Sequence, residues 1–173
     1  RRCLKPRRWV RRAALVLAGT AAALLAGEGL LRLLDPWGAR PKILMHDFVR
    51  AAKRPHPDPC RGWTFQGGFQ GDYGVPVSLN AQGFRDLVWG LPREGERRIL
   101  VLGDSFAFGY GVRREEAFPA VLEGLLGSPY RVLNGGVVGY NTDQEWRVLR
   151  DEGLSARPDV VLVLYVGNDR LPT

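Results

Sequence analysis

Three short segments in the second half of the sequence carry groups that could do acyl chemistry. They read GDSF at residues 103–106, NGGVVGYN at 134–141 and GND at 167–169. Ser105 offers a hydroxyl nucleophile. Its backbone N–H, the backbone N–H of Gly139 and the side-chain amide of Asn168 offer donors for the negative charge that develops on a carbonyl oxygen under attack. A serine nucleophile together with such donors is what acyl transfer needs.

The same residues also have ordinary structural roles. Ser105 could cap a helix, the glycines of the second segment could serve a tight turn, and Asn168 and Asp169 could be the polar end of a strand, because these residue types are common in turns. A site requires the three segments to lie side by side, so the elements that precede them decide between the two interpretations.

Apolar runs precede all three segments and predict strands. Ile99 to Leu102 and Arg131 to Leu133 are short, and residues 159–166, DVVLVLYV, are continuously apolar and β-branched, which is typical of a strand covered on both faces. Helical patterns separate the strands, so we predict a parallel sheet with crossover helices. Ligands bind at the carboxyl ends of such strands, where the three segments lie.

The two intervening helices have start and stop signals. In FPAVLEGLLG, Pro119 lies inside the start and Gly127 past the end, and four apolar residues share one face, namely Phe118, Leu122, Leu125 and Leu126. In TDQEWRVLRDEG, Thr142 and Glu145 have the spacing of a capping box, and Gly153 ends the pattern. The segment GYGVRR, at residues 109–114, begins like a dinucleotide-binding motif. Arg114 stands where the third glycine of that motif would be, and no helix opens there directly, so we discount a dinucleotide site.

Over residues 75–169 the chain resembles the SGNH (GDSL-type) hydrolases, particularly their bacterial membrane-anchored members. The blocks that carry the resemblance are VLGDSFAFGYGV, VLNGGVVGYNTDQ and PDVVLVLYVGND. The resemblance implies a flavodoxin-like α/β fold, with a parallel sheet and flanking helices, and an ester hydrolase. It makes Ser105 the nucleophile, and Ser105, Gly139 and Asn168 the oxyanion hole. Asp104 and Asp169 would hold the loops that contain Ser105 and Asn168 through hydrogen bonds to the backbone. Phe106 replaces the leucine of the family motif.

The family takes its base from a later D-x-x-H block, which these 173 residues do not contain. Both histidines, His46 and His56, precede Ser105. Because a serine hydroxyl is a weak nucleophile without an adjacent base, we expect this segment alone to lack normal turnover. The start on Arg1 and the end shortly after the third strand are typical of a fragment, truncated before the D-x-x-H block.

The formal net charge of +7 lies at the N-terminus. Seven basic and no acidic residues fall within residues 1–12, and the remaining 18 basic residues match 18 acidic ones. Residues 13–34 follow as an apolar run long enough to cross a bilayer. We predict a basic cytoplasmic end and a single-pass anchor in the bacterial inner membrane, with the rest outside the cytoplasm. A cleaved signal peptide, which would give a secreted protein, is the alternative.

The remaining segments are predicted as a linker at 35–60, a small β-rich lead-in at 61–97 and the N-terminal part of the hydrolase domain at 98–173. Trp63 or Arg85 of the lead-in could instead form a lip over the active site. Cys3 and Cys60 would lie on opposite sides of the membrane and could not pair with each other. The sequence shows no metal-ligand spacing, and no cofactor is implied.

These observations predict an ester hydrolase, either esterase- or lipase-like or a carbohydrate O-acetyl esterase. Two alternatives stay open, namely an extracytoplasmic polysaccharide O-acyltransferase on the same fold and an inactive anchored binding module. The neutral body of the chain argues against a nucleic-acid partner. The expected partners are a small-molecule, glycan or lipid ester and the membrane. The acyl group, the alcohol and the oligomeric state are left open.

Overall fold

The structure, a computed structural model, describes residues 6–34 and 39–167. The chain divides into two compact units, residues 1–40 and 41–173. The first contains one long helix, α1 (Pro6–Leu34), whose span Trp9–Leu34 is long and apolar enough to cross a membrane. Glu28 and Arg32, four residues apart, form an ion pair of 2.7 Å on this helix. Length and composition fit an anchor or a signal sequence equally.

Helix α2 (Ala39–Ala52), most of which belongs to the second unit, is followed by two small antiparallel sheets. Their strands are β1 (Lys53–Pro55) with β2 (Trp63–Phe65), and β3 (Gln70–Asp72) with β4 (Pro76–Ser78). A linker was expected at 35–60, but residues 39–52 of this segment form helix α2. Its residues Met45, Phe48 and Ala52 are buried, at a spacing that places them on one helical face. Prolines and charges on either side hide this pattern in the sequence.

Phe48 joins α2 to the rest of the second unit. Its ring contacts those of Phe65, Phe69 and Tyr73 at centroid distances of 5.8, 5.7 and 5.6 Å. It also lies 6.1 Å from Phe108. The first three rings belong to the lead-in and Phe108 belongs to the α/β part, so α2 and the lead-in share one core with the α/β part.

The α/β part contains a parallel sheet with the strand order β6, β5, β7. Its elements run in chain order as β5 (Arg97–Gly103), α3 (Ser105–Phe108), α4 (Phe118–Leu126), β6 (Tyr130–Gly136), α5 (Thr142–Val148) and β7 (Val160–Leu164). A 3-10 turn, Arg114–Glu116, precedes α4, and a π turn, Leu149–Gly153, and a 3-10 turn, Leu154–Ala156, follow α5. The predicted α/β class with a parallel sheet is confirmed.

The central strand β5 alternates between two cores. Leu100 and Leu102 face the core that contains α2 and the end of α5, whereas Ile99 and Val101 face the core that Leu122 of α4 covers. Helices therefore lie on both faces of the sheet, as a parallel sheet requires.

Three details differ from the sequence predictions. The capping box of α5 lies one residue earlier, between Asn141 and Gln144, and Glu145 is buried instead. In α4, Phe118, Leu125 and Leu126 are exposed. Strand β7 is not covered on both faces within the described residues, since it pairs only with β5 and Val160 to Val163 are at least 36% exposed.

Gly136 allows the end of β6 to lie directly against α3. A Cβ at Gly136 would lie 2.3 Å from the Phe108 backbone nitrogen and 2.6 Å from the Ala107 carbonyl carbon. Backbone atoms cannot move aside as a flexible side chain can, so only glycine fits at this position.

We therefore expect Gly136→Ala to lower the free energy of unfolding by about 1–3 kcal/mol, as overpacking does, with urea denaturation as the measurement. Gly90→Ala is the matched control because a Cβ there meets nothing within 4 Å. Equal stability of the two variants would contradict the close contact between β6 and α3.

Candidate active site

Ser105 is the first residue of α3, two residues after the end of β5. Asp104 caps this short helix, because its Oδ1 accepts a hydrogen bond of 3.0 Å from the Phe106 backbone N–H. The Ser105 hydroxyl lies 3.4 Å from Asp104 Oδ2. The sequence thus predicted a serine at the carboxyl end of a strand, and the structure places it there on a capped turn.

Gly139 lies in a tight turn that follows β6. The Tyr140 N–H donates to the Val137 carbonyl at 3.1 Å, and Gly139 has a φ of +80°. A positive φ at the third position is the signature of a type II turn, which favours glycine. A Cβ at Gly139 would meet nothing within 4 Å, so backbone conformation and not space explains this glycine.

Ser105 and Gly139 line one cleft of about 840 Å³. Among the hydrogen bonds of the described residues, none uses the backbone N–H of Ser105 or of Gly139. The residues that carry two of the three predicted oxyanion donors therefore line the same cavity. The third, Asn168, and the predicted supporting residue Asp169 lie outside the described residues.

The two lead-in residues that were candidates for a lip have different positions. Trp63 lines the Ser105 cleft. Arg85 is buried beneath the loop after α3, where its guanidinium donates to the carbonyls of Gly109 at 2.6 Å and Val112 at 2.8 Å and lies 5.4 Å from the Phe108 ring. Burial lowers the pKa of Arg85. Arg85 thus supports the residues that follow α3, the helix that begins with Ser105.

Neither histidine forms a hydrogen bond with Ser105 in the described structure. His56 accepts the Asp58 N–H at its Nδ1 and lies 3.4 Å from Arg61 Nη1 through its Nε2, and it is not among the residues that line the cleft. His46 does line it, on an exposed position of α2. Nothing in the sequence pattern predicted His46 at this cleft, because the residues of α2 were expected to form a linker.

The cleft wall formed by residues 59–63 is held by ion pairs with α5 and the turn that follows. Buried Arg61 donates to both carboxylate oxygens of Glu152 at 2.7 Å and to the Tyr140 hydroxyl at 3.2 Å. Burial raises the pKa of Tyr140. Asp58 accepts from Arg147 at 2.7 Å and Arg150 at 2.9 Å. These pairs join residues about 90 positions apart in the sequence.

Comparisons with known proteins support esterase chemistry for part of the chain. No family model matches the chain. An acetylxylan esterase of Xylanibacter ruminicola is 31% identical over 93 residues, which cover 47% of this chain and 18% of that protein. The crystal structure of AlinE4, an SGNH-hydrolase family esterase, is 36% identical over 43% of this chain and 42% of its own, with a TM-score of 0.37. A mutant of the same esterase matches equally.

The chain thus spans less than a fifth of its curated relative and less than half of the esterase structure. For the part of the chain that it covers, the similarity to the acetylxylan esterase agrees with the ester hydrolase that the three sequence blocks predict.

The Asp58 ion pairs predict a pH-dependent stability. The pKa of Asp58 lies well below its usual range, chiefly because Arg150 and then the Cys60 N–H donate to its carboxylate. A carboxyl group with a lowered pKa stabilises the fold above its ordinary pKa of about 4, and this contribution is lost as the pH falls further. Asp58→Asn should therefore lower the melting temperature at pH 7, with a difference from wild type that shrinks below about pH 4.

Asp47→Asn, at an exposed carboxylate of α2, is the control and should follow the wild-type pH profile. A difference between Asp58→Asn and wild type that stays constant down to pH 2 would show that the carboxylate charge is not what holds the cleft wall.

Proposed function

We propose that the protein is a serine ester hydrolase with Ser105 as its nucleophile. The observation that carries the proposal is that Ser105 and Gly139 line one cleft and that the backbone N–H groups of both lack acceptors among the described residues. The similarity to two esterases supports the same chemistry. A carbohydrate O-acetyl esterase is one member of this class, in keeping with the curated relative's name.

In the proposed reaction, Ser105 Oγ attacks the ester carbonyl carbon and forms a tetrahedral intermediate. The N–H groups of Ser105 and Gly139, together with the Asn168 side chain, stabilise its oxyanion. The intermediate collapses with loss of the alcohol, and water then attacks the acyl-serine and releases the acid. Asp104 holds Ser105 in position through the cap of α3.

Proton transfer needs a base beside Ser105. The family resemblance assigns it to a D-x-x-H block, which is not present in these 173 residues. The test of activity therefore uses the full-length protein.

We also propose that α1 anchors the protein in the bacterial inner membrane, with the second unit outside the cytoplasm. The basic residues before the apolar span support this orientation. The alternative, a cleaved signal sequence, would release a shorter soluble form, which N-terminal sequencing of the mature protein distinguishes.

Ser105→Ala in the full-length protein should reduce hydrolysis of p-nitrophenyl acetate to the background rate. Its fold should be preserved, since the only hydrogen bond of the hydroxyl described is the 3.4 Å contact with Asp104. Ser155→Ala is the matched control, because this exposed serine does not line the cleft and donates only to a local carbonyl. Equal rates for Ser105→Ala and Ser155→Ala would overturn the assignment of the nucleophile.

Asn168→Ala should lower kcat by about 10²–10³, the usual effect of losing one oxyanion donor, with a smaller change in KM. Steady-state kinetics with the same ester measures both constants. An unchanged kcat would remove Asn168 from the oxyanion hole and leave the proposed nucleophile in place.

The alternative of an O-acyltransferase has its own test in the wild-type full-length protein. Faster acyl transfer to a sugar acceptor than to water would identify an O-acyltransferase.

A further inference from the structure

We propose that the ester substrate has one small group and one apolar arm of several carbons, and that the cleft formed by α2 and Trp63 binds the arm. This inference rests on the proposed function of Ser105. It assigns to α2 and the lead-in a role in substrate selection that the chemistry of the three sequence blocks does not require.

Ser105 borders two cavities of unequal size. The cleft that it shares with Gly139 has a volume of about 840 Å³, and a second cavity, on the side of Phe106 and Val112, has about 150 Å³. A ligand site of several hundred cubic ångströms accepts a group far larger than acetyl. An ester whose carbonyl lies at Ser105 would place its smaller half in the second cavity and its larger half in the first.

Most of the wall surface of the large cleft is apolar, although polar side chains such as His46, Lys53 and Gln144 also line it. Met45 and Val49 come from α2, Trp63 from β2, and Tyr110 and Val138 from the loops after α3 and β6. The cleft therefore lies between the lead-in and the strand ends, and three of these five side chains come from outside the predicted hydrolase segment.

Both aromatic rings of the cleft already have partners in the protein. The Lys53 ammonium lies 4.1 Å from the centre of the Trp63 ring, and Tyr110 stacks on Tyr73 at 6.0 Å with an angle of 8° between the rings. One face of each ring is thus occupied, which reduces the surface on which a sugar ring could stack. Aliphatic contact with Met45, Val49 and Val138 is what the cleft offers in addition.

The charges in the cleft argue against a cationic ligand, because Lys53 and Arg61 are basic residues of its wall. Among the described residues that line it there is no carboxylate. Arg61 is paired with Glu152 at 2.7 Å, so its charge is already compensated. A cationic substrate would find no counterion, whereas burial of an uncharged alkyl arm is favoured by the hydrophobic effect.

The experiment compares esters with short and long arms on either side of the carbonyl. One series compares p-nitrophenyl acetate with p-nitrophenyl hexanoate, which vary the acyl arm. The other compares ethyl acetate with hexyl acetate, which vary the alcohol arm, and their hydrolysis is measured by pH-stat titration. In the full-length protein, kcat/KM for the long ester should exceed that for the short ester by at least about tenfold in one series, because four further CH₂ groups are buried.

Val49→Trp, which fills the cleft from α2, should reduce this ratio to near one. Val121→Trp makes the same substitution at an exposed position of α4 that lines neither cavity beside Ser105, and it should keep the wild-type ratio. Circular dichroism checks that each variant is folded, and Val49→Phe replaces Val49→Trp if the latter is not.

The outcomes separate this inference from the proposed function. No hydrolysis of any ester by the folded full-length protein would contradict the function itself. Hydrolysis with no preference for the long arm in either series would overturn the inference and leave the function standing. A preference that persists in the folded Val49 variants would also overturn it, because the arm would then bind elsewhere. If neither Val49 variant folds, the wild-type ratio decides.

Discussion

The contact between β6 and α3 at Gly136 is the constraint on which the candidate site depends. A single added carbon at Gly136 would collide with the backbone of Ala107 and Phe108, so the helix lies on the strand without any side chain between them. Ser105 begins that helix, and the turn that contains Gly139 starts one residue after Gly136. The same backbone contact therefore fixes the position of Ser105, the proposed nucleophile, relative to Gly139, the proposed oxyanion donor.

Helix α2 and the lead-in also support α3. Phe48 of α2 contacts the Phe108 ring, and the buried Arg85 guanidinium donates to the carbonyls that follow the helix. A lysine in place of Arg85 would have one ammonium and could not span the same carbonyls with a planar fork. A four-residue helix has little stability of its own, so its geometry depends on these partners. The lead-in is thus part of the scaffold of the site.

The sequence predicted what local patterns encode. The order of strands and helices, the limits of α4 and the position of Ser105 after a strand follow from apolar periodicity and from turn residues. Helix α2 was missed because prolines and charges surround its apolar residues Met45, Phe48 and Ala52. The Arg61–Glu152 pair was missed for another reason, since residues 91 positions apart leave no mark in a local pattern.

The α/β part and helix α2 contribute to the proposed function in different physical ways. Stabilising an oxyanion requires donors fixed within a few tenths of an ångström, and the short turns at the ends of β5 and β6 hold backbone groups in this way. Selecting an alkyl arm requires contact area and tolerates small movements, because the hydrophobic effect is non-directional and roughly proportional to the area removed from water. A helix such as α2, which presents Met45 and Val49 to the cleft, meets the second requirement. Substitutions of Met45 or Val49 should therefore change which ester is preferred, whereas Phe48, which contacts Phe108, belongs to the support of α3.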